Sequence, residues 1–124
     1  MRYTKIEKES FVENFKLKTK SFAIDTINFC NNLQPSLATR NVCYQLIRSA
    51  TSTGANYRAA CRGRSKAEFF SKLSITIEEA DESQYWLEII EGLKLNCDNA
   101  ELKRLKNEIT DIVKILTSAR KNTK

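Results

Sequence analysis

Residues 98–116 read DNAELKRLKNEITDIVKIL, and this stretch decides the fold class. Asp98 stands three residues before Glu101, which is the spacing of a capped helix N-terminus. Apolar side chains then recur every three or four residues, so at about 100° per residue they share one face of an α-helix. The stretch therefore predicts an amphipathic helix whose buried stripe consists of Leu102, Leu105, Ile109, Ile112 and Leu116.

Three earlier segments repeat this periodicity, and together they predict helices over about 9–33, 38–62, 65–93 and 98–121. Each has one apolar stripe, as a helix that packs on a shared core requires. The three further stripes are Phe11, Phe15, Phe22, Phe29 and Leu33; Val42, Leu46, Ala50, Thr53, Tyr57 and Ala60; and Phe69, Leu73, Ile77, Ala80 and Leu87.

Helix-breaking residues are scarce, since the 124-residue chain has one proline and three glycines. Pro35 punctuates the first predicted connection, and Gly63 can take the left-handed conformation that ends the second helix. Short connections between long helices imply antiparallel neighbours. The sequence therefore predicts one domain, residues 1–124, of the all-α class, folded as an antiparallel up-down four-helix bundle.

Polar residues beside the breaks provide helix caps. Either Ser36 or Thr39 can cap the second helix. Ser65 and Glu68 have the spacing of a capping box, in which each side chain binds the backbone amide of the other residue. These signals support the same helix boundaries.

The composition argues against catalysis. The chain has no histidine, which excludes Ser-His and Cys-His nucleophiles and the commonest general base. Its isolated glycines cannot form a phosphate-binding loop. Its four cysteines include no CxxC pair, and Cys30, Cys43 and Cys61 fall on apolar helix faces, which favours reduced, buried thiols. We predict no enzymatic activity, no cofactor and no metal site.

The N-terminus lacks the apolar run of a signal peptide, and no stretch approaches the length of a membrane span. We therefore expect a soluble, cytoplasmic protein that does not act on membranes. Its formal charge is +6, from 21 Lys and Arg against 15 Asp and Glu. That balance favours acidic partners, with nucleic acid first.

Two predicted helices carry apolar residues that an isolated bundle does not need. On the third helix they lie roughly opposite Leu73, and on the first they point away from Phe15. Because a large exposed apolar patch usually marks an interface, we predict self-association with Trp86 as anchor. Loops or the segment 1–8 are the alternative cover. The predicted interface residues are Leu17, Ile24, Ile75, Trp86, Ile89 and Leu93.

Charges are segregated along the middle of the chain. Residues 48–72 contain six bases and one acid, whereas residues 73–93 contain six acids and no base. If the second and third helices form a hairpin, Arg48 lies level with Glu79 and Glu82, and an ion pair within the chain is expected.

The remaining bases of this stretch have three open interpretations. They bind phosphates, pair with the acidic third helix of a neighbouring subunit, or are simply solvated. A second basic group lies on the predicted fourth helix. The candidate nucleic-acid-binding residues are Arg58, Arg62, Arg64 and Lys66, with Lys103, Arg104 and Lys106 secondary.

Two stretches carry a family resemblance. Residues 45–60 read QLIRSATSTGANYRAA, and residues 65–75 read SKAEFFSKLSI, followed by EADESQYWL at 79–87. They resemble the four-helix bundle proteins of the ribosomal RNA intervening-sequence family across nearly the whole chain. The chain departs from that pattern at Thr53, Ala59, Cys61 and Gly63. Without the usual acid at position 59, the segment 58–64 is more basic.

The resemblance implies a bacterial up-down bundle that assembles as a homopentameric ring. Family members are encoded within insertions in large-subunit ribosomal RNA genes or stand alone. The accessory variability determinant proteins of diversity-generating retroelements look like distant relatives, and those bind nucleic acid and a reverse transcriptase. We therefore expect a homo-oligomeric RNA- or DNA-binding accessory protein, with a reverse transcriptase as a candidate partner. The alternative is a protein–protein scaffold whose basic face binds its neighbour or an acidic protein.

Overall fold

The computed structural model describes residues 4–123, and this part of the chain forms four α-helices and no strand. The connections between them are only four or five residues long. The all-α, four-helix prediction is confirmed. The helices are α1 (Lys5–Asn31), α2 (Leu37–Cys61), α3 (Lys66–Leu93) and α4 (Asn99–Lys121).

Helix α1 begins at Lys5, earlier than the predicted start at residue 9, because a capping box precedes it. The Glu7 amide donates to Thr4 Oγ1 at 3.1 Å, and the Thr4 amide donates to Glu7 Oε2 at 2.9 Å. Residues 5–8 therefore extend α1 and are exposed. Residues 1–3 of the proposed covering segment lie outside the described residues.

The two candidate caps of α2 act together. Ser36 is the N-cap and accepts from the Thr39 amide at 3.1 Å, while the Ser36 amide donates to Thr39 Oγ1 at 2.8 Å. At α3, Ser65 accepts from the Glu68 amide at 3.1 Å. The reciprocal half of that predicted capping box is not formed among residues 4–123.

Gly63 does not have the predicted left-handed conformation, so that prediction is wrong. The last turn of α2 closes instead with tighter bonds, from the Arg62 amide to the Ala59 oxygen and from the Gly63 amide to the Ala60 oxygen. Close packing explains the glycine, because a Cβ at this position would lie 3.0 Å from the Ala60 oxygen and 3.3 Å from the Phe69 nitrogen.

Each helix packs against two others, since α1 contacts α2 and α4, and α3 contacts α2 and α4. Individual contacts mark the levels at which neighbours meet: the Phe15 ring packs edge-on against the Tyr57 ring, with centroids 4.7 Å apart. The Ser49 and Ser83 hydroxyls are 2.8 Å apart in the α2–α3 interface. Gln84 donates to Thr110 Oγ1 at 3.1 Å between α3 and α4.

The enclosed core uses most of the predicted stripe residues. Its fully buried side chains include Leu46, Leu73, Leu105 and Ile112. Phe11 is an exception to the prediction, because 52% of it is exposed and its ring stacks on Phe15 from outside. Phe11 lies one turn beyond the Phe15–Tyr57 contact, close to the level where α2 ends, so little remains to cover it.

Candidate nucleic-acid interface

Four bases lie between the last turn of α2 and the first residue of α3. We call them the junction cluster: Arg58, Arg62, Arg64 and Lys66. Arg58 lies in the last turn of α2, Arg62 is its C-cap, and Lys66 is the first residue of α3. All four side chains are exposed. In the part of the chain that the structure describes, none forms an ion pair. The cluster is therefore available to an external anion.

The surface beside the junction cluster is open to a ligand. Thr51 and Ala55 are small, exposed residues on the outer face of α2. At the start of α3, the Arg120 guanidinium lies 6.0 Å from the centre of the Phe70 ring. This contact brings the basic end of α4, which also carries the exposed Lys121, to the same end of the bundle.

The bases at the start of α4 have a different environment. Arg104 donates to both carboxylate oxygens of Glu101, at 2.6 and 2.8 Å, and to Asp25 of α1 at 2.9 Å. Lys106 donates to Glu91 of α3 at 2.6 Å. Of these three bases, Lys103 alone is exposed and makes no ion pair within residues 4–123. Two of the three secondary phosphate ligands predicted from sequence are thus already neutralised.

These contacts determine the charge state of Glu101. Its hydrogen bonds from Arg104 lower the pKa of this carboxyl group, against a smaller opposing effect of burial. The hydrogen bonds to Glu101 and Asp25 raise the pKa of Arg104 in turn. Both groups are therefore charged and mutually satisfied near neutral pH.

Arg48 bonds Glu82 rather than Glu79. Its Nη2 donates to Glu82 Oε1 at 2.7 Å, and Trp86 Nε1 donates to the same oxygen at 3.2 Å. Burial, with a smaller contribution from the nearby Glu82 carboxylate, raises the pKa of Glu79. Glu79 Oε2 is buried and has no hydrogen-bond partner among the described residues. Arg48 is thus engaged within the α2–α3 pair, unlike the junction cluster.

The six predicted interface residues divide into two groups. Trp86 and Ile89 are half-buried and pack against the core, and the Trp86 ring also contacts Tyr85 edge-on at 5.1 Å. The other four are well exposed: Leu17 at 60%, Ile24 at 48%, Ile75 at 46% and Leu93 at 42%.

Ile6 is a further apolar residue on the outer face of α1 that the sequence analysis missed. It is 75% exposed, and its spacing from Leu17 and Ile24 places it on the same side of the helix. The spacing was visible in the sequence, but the predicted helix began beyond Ile6.

Among residues 4–123, no group of three or more Cys, Asp or Glu side chains is placed to hold a metal ion. None of the four described helices is both long and apolar enough to cross a lipid bilayer. The distinctive surfaces are the junction cluster and the exposed apolar residues.

This fold and these surfaces define a class, the small all-α bundle proteins. A sequence profile described as 23S rRNA-intervening sequence protein matches residues 14–118. The chain therefore belongs to the 23S rRNA-intervening sequence protein family, as its resemblance indicated.

A solved structure supports this assignment. A protein of unknown function from the S23 ribosomal protein family of Bacteroides thetaiotaomicron superposes with a TM-score of 0.76 and is 32% identical to this chain. The match covers 87% of this chain and 99% of the other. Among curated proteins, none shows significant sequence similarity to this chain.

Proposed function

We propose that this chain is a non-enzymatic accessory protein that binds nucleic acid as a homo-oligomer of antiparallel, up-and-down four-helix bundles. The proposal rests on the junction cluster, whose four bases are exposed and make no ion pair in the described part of the chain. Guanidinium groups bind phosphates through paired hydrogen bonds, and a clustered basic surface is typical of nucleic-acid-binding proteins.

RNA is the first nucleic acid to test, because the family description refers to 23S rRNA. The protein's own net charge of +6 adds a general attraction to a polyanion. Arg120 and Lys121 extend the basic surface at the same end of the bundle, since Arg120 lies over Phe70 close to Lys66. The family resemblance suggests a bacterial cytoplasmic protein with a reverse transcriptase as a candidate partner, and we include both in the proposal.

The test compares Arg58→Ala/Arg62→Ala with the unaltered chain by fluorescence anisotropy, using a labelled single-stranded RNA and its duplex. Losing two phosphate contacts should weaken binding about 10-fold. Lys20→Ala/Arg40→Ala is the matched control, because it removes the same charge from two exposed, unpaired sites elsewhere within residues 4–123. Equal losses in both variants would show that net charge alone is responsible and would reject a localised site.

Self-association is proposed through the exposed apolar residues of α1 and α3, above all Leu17, Ile24 and Ile75. A ring of five subunits is the form that the family resemblance implies. Covering such residues is favourable by roughly 25 cal/mol for each Å² of apolar surface removed from water. Trp86 is a poor test site, because it already packs against the core and bonds Glu82.

Ile75→Asp is therefore the sharper variant. Light scattering should show a lower mass for Ile75→Asp than for the unaltered oligomer, while circular dichroism should show the same helix content. Leu37→Asp is the control, since Leu37 is 82% exposed and stands at the first position of α2, where an acid suits the helix dipole. A monomeric unaltered chain would contradict self-association.

The antiparallel arrangement is supported by the level of the contacts. Arg48 bonds Glu82 near the middle of α2 and α3, whereas Gly63 approaches Phe69 at their connection. Two contacts between α3 and α4 support the same arrangement. Glu91, late in α3, bonds Lys106, early in α4, and Phe70, early in α3, lies under Arg120, late in α4.

A scaffold without nucleic-acid binding is the second candidate, because α3 also has an outer acidic surface. Glu78, Asp81 and Glu88 are exposed and make no ion pair within residues 4–123. They could receive the junction cluster of a neighbouring subunit. In that case Arg58→Ala/Arg62→Ala would dissociate the oligomer, whereas under the nucleic-acid proposal its mass is unchanged.

A further inference from the structure

Cys30 and Cys43 line the same cleft, a volume of about 330 Å³ beside the α1–α2 connection. Cys30 is buried near the end of α1, whereas Cys43 on α2 is half-buried. Both are free thiols. Arg40 and Tyr44 also line this cleft, and both are exposed. A small polar molecule can therefore reach the Cys43 side of the pair.

The packing of α1 on α2 places the two cysteines at the same level. Phe15 meets Tyr57, and Thr19 Oγ1 lies 3.3 Å from where a Cβ on Gly54 would stand. Moving along α1 by eleven residues from Thr19 and back along α2 by the same number brings Cys30 opposite Cys43. The shared cleft and this alignment agree.

The environment distinguishes the two thiols. A hydrogen bond with Cys43, together with burial, raises the pKa of Cys30, whereas the bond from Cys30 lowers the pKa of Cys43 against the opposing effect of its own burial. Cys30 is thus the thiol that holds its proton, and Cys43 is the one that ionises more readily. Thiolates are the reactive form of cysteine, so the more accessible Cys43 is also the better nucleophile.

We propose that Cys43 and Cys30 form a two-cysteine redox site that a small hydroperoxide such as hydrogen peroxide oxidises stoichiometrically. The Cys43 thiolate attacks one peroxide oxygen, the O–O bond breaks, and hydroxide leaves and is protonated to water, which gives a sulfenic acid on Cys43. The Cys30 sulfur then attacks the Cys43 sulfur, an S–S bond forms, and the S–O oxygen leaves as water with the Cys30 proton. Two thiols lose two electrons, and the peroxide is reduced to two waters.

The other two cysteines provide an internal comparison. Cys61 lies next to Tyr57, whose pKa is raised by burial and by the neighbouring Cys61. The Cys97 thiol donates weakly to Asn99 Oδ1 at 3.7 Å. Neither lines the cleft that holds Cys30 and Cys43. Cys61→Ser/Cys97→Ser therefore leaves the proposed site intact while removing competing thiols.

The experiment treats the full-length Cys61→Ser/Cys97→Ser chain with hydrogen peroxide. Both remaining thiols should disappear together, and mass spectrometry of the digest should find residues 30 and 43 joined within one chain. Because the new link closes a short loop, the Tm of the oxidised protein should rise by about 5 °C. This test leaves residues 30 and 43 unaltered, so it does not depend on the folding of a variant at the site itself.

Two variants in the same background separate the roles. Cys30→Ser should leave a sulfenic acid on Cys43 that dimedone traps, and Cys43→Ser should protect Cys30 from peroxide. A link between chains, or a Cys43 that reacts no faster than Cys61 or Cys97 in the unaltered protein, would overturn the proposal. Since RNA affinity is not the readout, the result is independent of the proposed function.

Discussion

The junction cluster and the first turns of α4 are both rich in bases, with four in one and three in the other, yet their surroundings differ. At the start of α4, Arg104 and Lys106 have carboxylates within 3 Å. At the junction, the described part of the chain supplies no such partner. Two of the three bases at the start of α4 are therefore neutralised, whereas the four bases of the junction cluster have no carboxylate partner within residues 4–123.

The difference arises from what faces each group across the helix interfaces. Asp25 reaches Arg104 from α1, Glu91 reaches Lys106 from α3, and Glu101 lies three residues before Arg104 on α4 itself. At the junction, Glu68 is the one acid among residues 58–72, and it forms no ion pair within residues 4–123. The availability of a base therefore depends on acids of the neighbouring helices as well as on acids close to it in sequence.

The largest expected effect is on RNA binding, where the two groups should separate most clearly. Arg58→Ala/Arg62→Ala should lose about 10-fold in affinity, whereas Arg104→Ala/Lys106→Ala should lose at most about 3-fold, because its bases already have partners. Anisotropy titrations of both variants at one salt concentration make the comparison. Equal losses of affinity would reject the junction cluster as the distinct RNA-binding surface. A larger loss for the α4 variant would assign RNA binding to α4 instead.

Next in size is the cap that orders the junction. Ser65 accepts from the Glu68 amide as Asp98 accepts from the Glu101 amide at the start of α4. Ser65→Ala and Asp98→Ala should each lower the free energy of unfolding by about 1 kcal/mol, which denaturant titration measures. If Ser65→Ala left the free energy of unfolding unchanged, the Ser65 cap would not stabilise the start of α3. Glu68→Gln is a control that keeps the backbone donor.

Single-arginine variants should give the opposite ranking in stability from that in binding. Arg104→Ala should cost roughly 0.5–1 kcal/mol, because it breaks exposed ion pairs with two acids. Arg58→Ala should stay within about 0.5 kcal/mol of the unaltered chain, since it breaks none in the described region. Thermal unfolding of the two variants checks this, and a destabilised Arg58→Ala would point to a structural role for that base.

The smallest effect is a pH dependence confined to the α4 side. Because the folded pKa of Glu101 lies below its ordinary value of 4.5, its stabilising contribution is complete above that pH and is lost as the pH falls through the folded pKa. Arg104→Ala should flatten this part of the stability profile, whereas Arg58→Ala should leave it unchanged. An unaltered acid limb in Arg104→Ala would show that the Glu101 contact is absent in solution.

The number of helices and their buried stripes were predictable because the spacing of apolar residues identifies the buried face of each helix without knowledge of its neighbours. Leu105, Ile109 and Ile112 needed no knowledge of a neighbour to be placed inside. The prediction that Phe11 is buried was wrong, because its burial depends on where α2 ends. The prediction of a left-handed Gly63 was wrong, because the glycine is required by close backbone packing against Ala60 and Phe69.

The candidate surfaces were harder to predict than the core. Sequence spacing placed Arg48 near both Glu79 and Glu82, but the choice of Glu82 depends on side-chain geometry that also engages Trp86. The pairing of Arg104 with Asp25 joins residues far apart in sequence, and no local pattern signals it. Trp86 illustrates the same limit, because its wheel position pointed outward while its large ring still reaches the core.

The salt dependence of RNA affinity tests the central claim most directly. Between about 50 and 200 mM salt, the slope of log Kobs against log[salt] reports how many phosphates the protein neutralises. We expect this slope to become shallower by roughly 1.5 in Arg58→Ala/Arg62→Ala and to stay unchanged in Arg104→Ala/Lys106→Ala. An unchanged slope in the junction variant would contradict the account, because those arginines would then touch no phosphate.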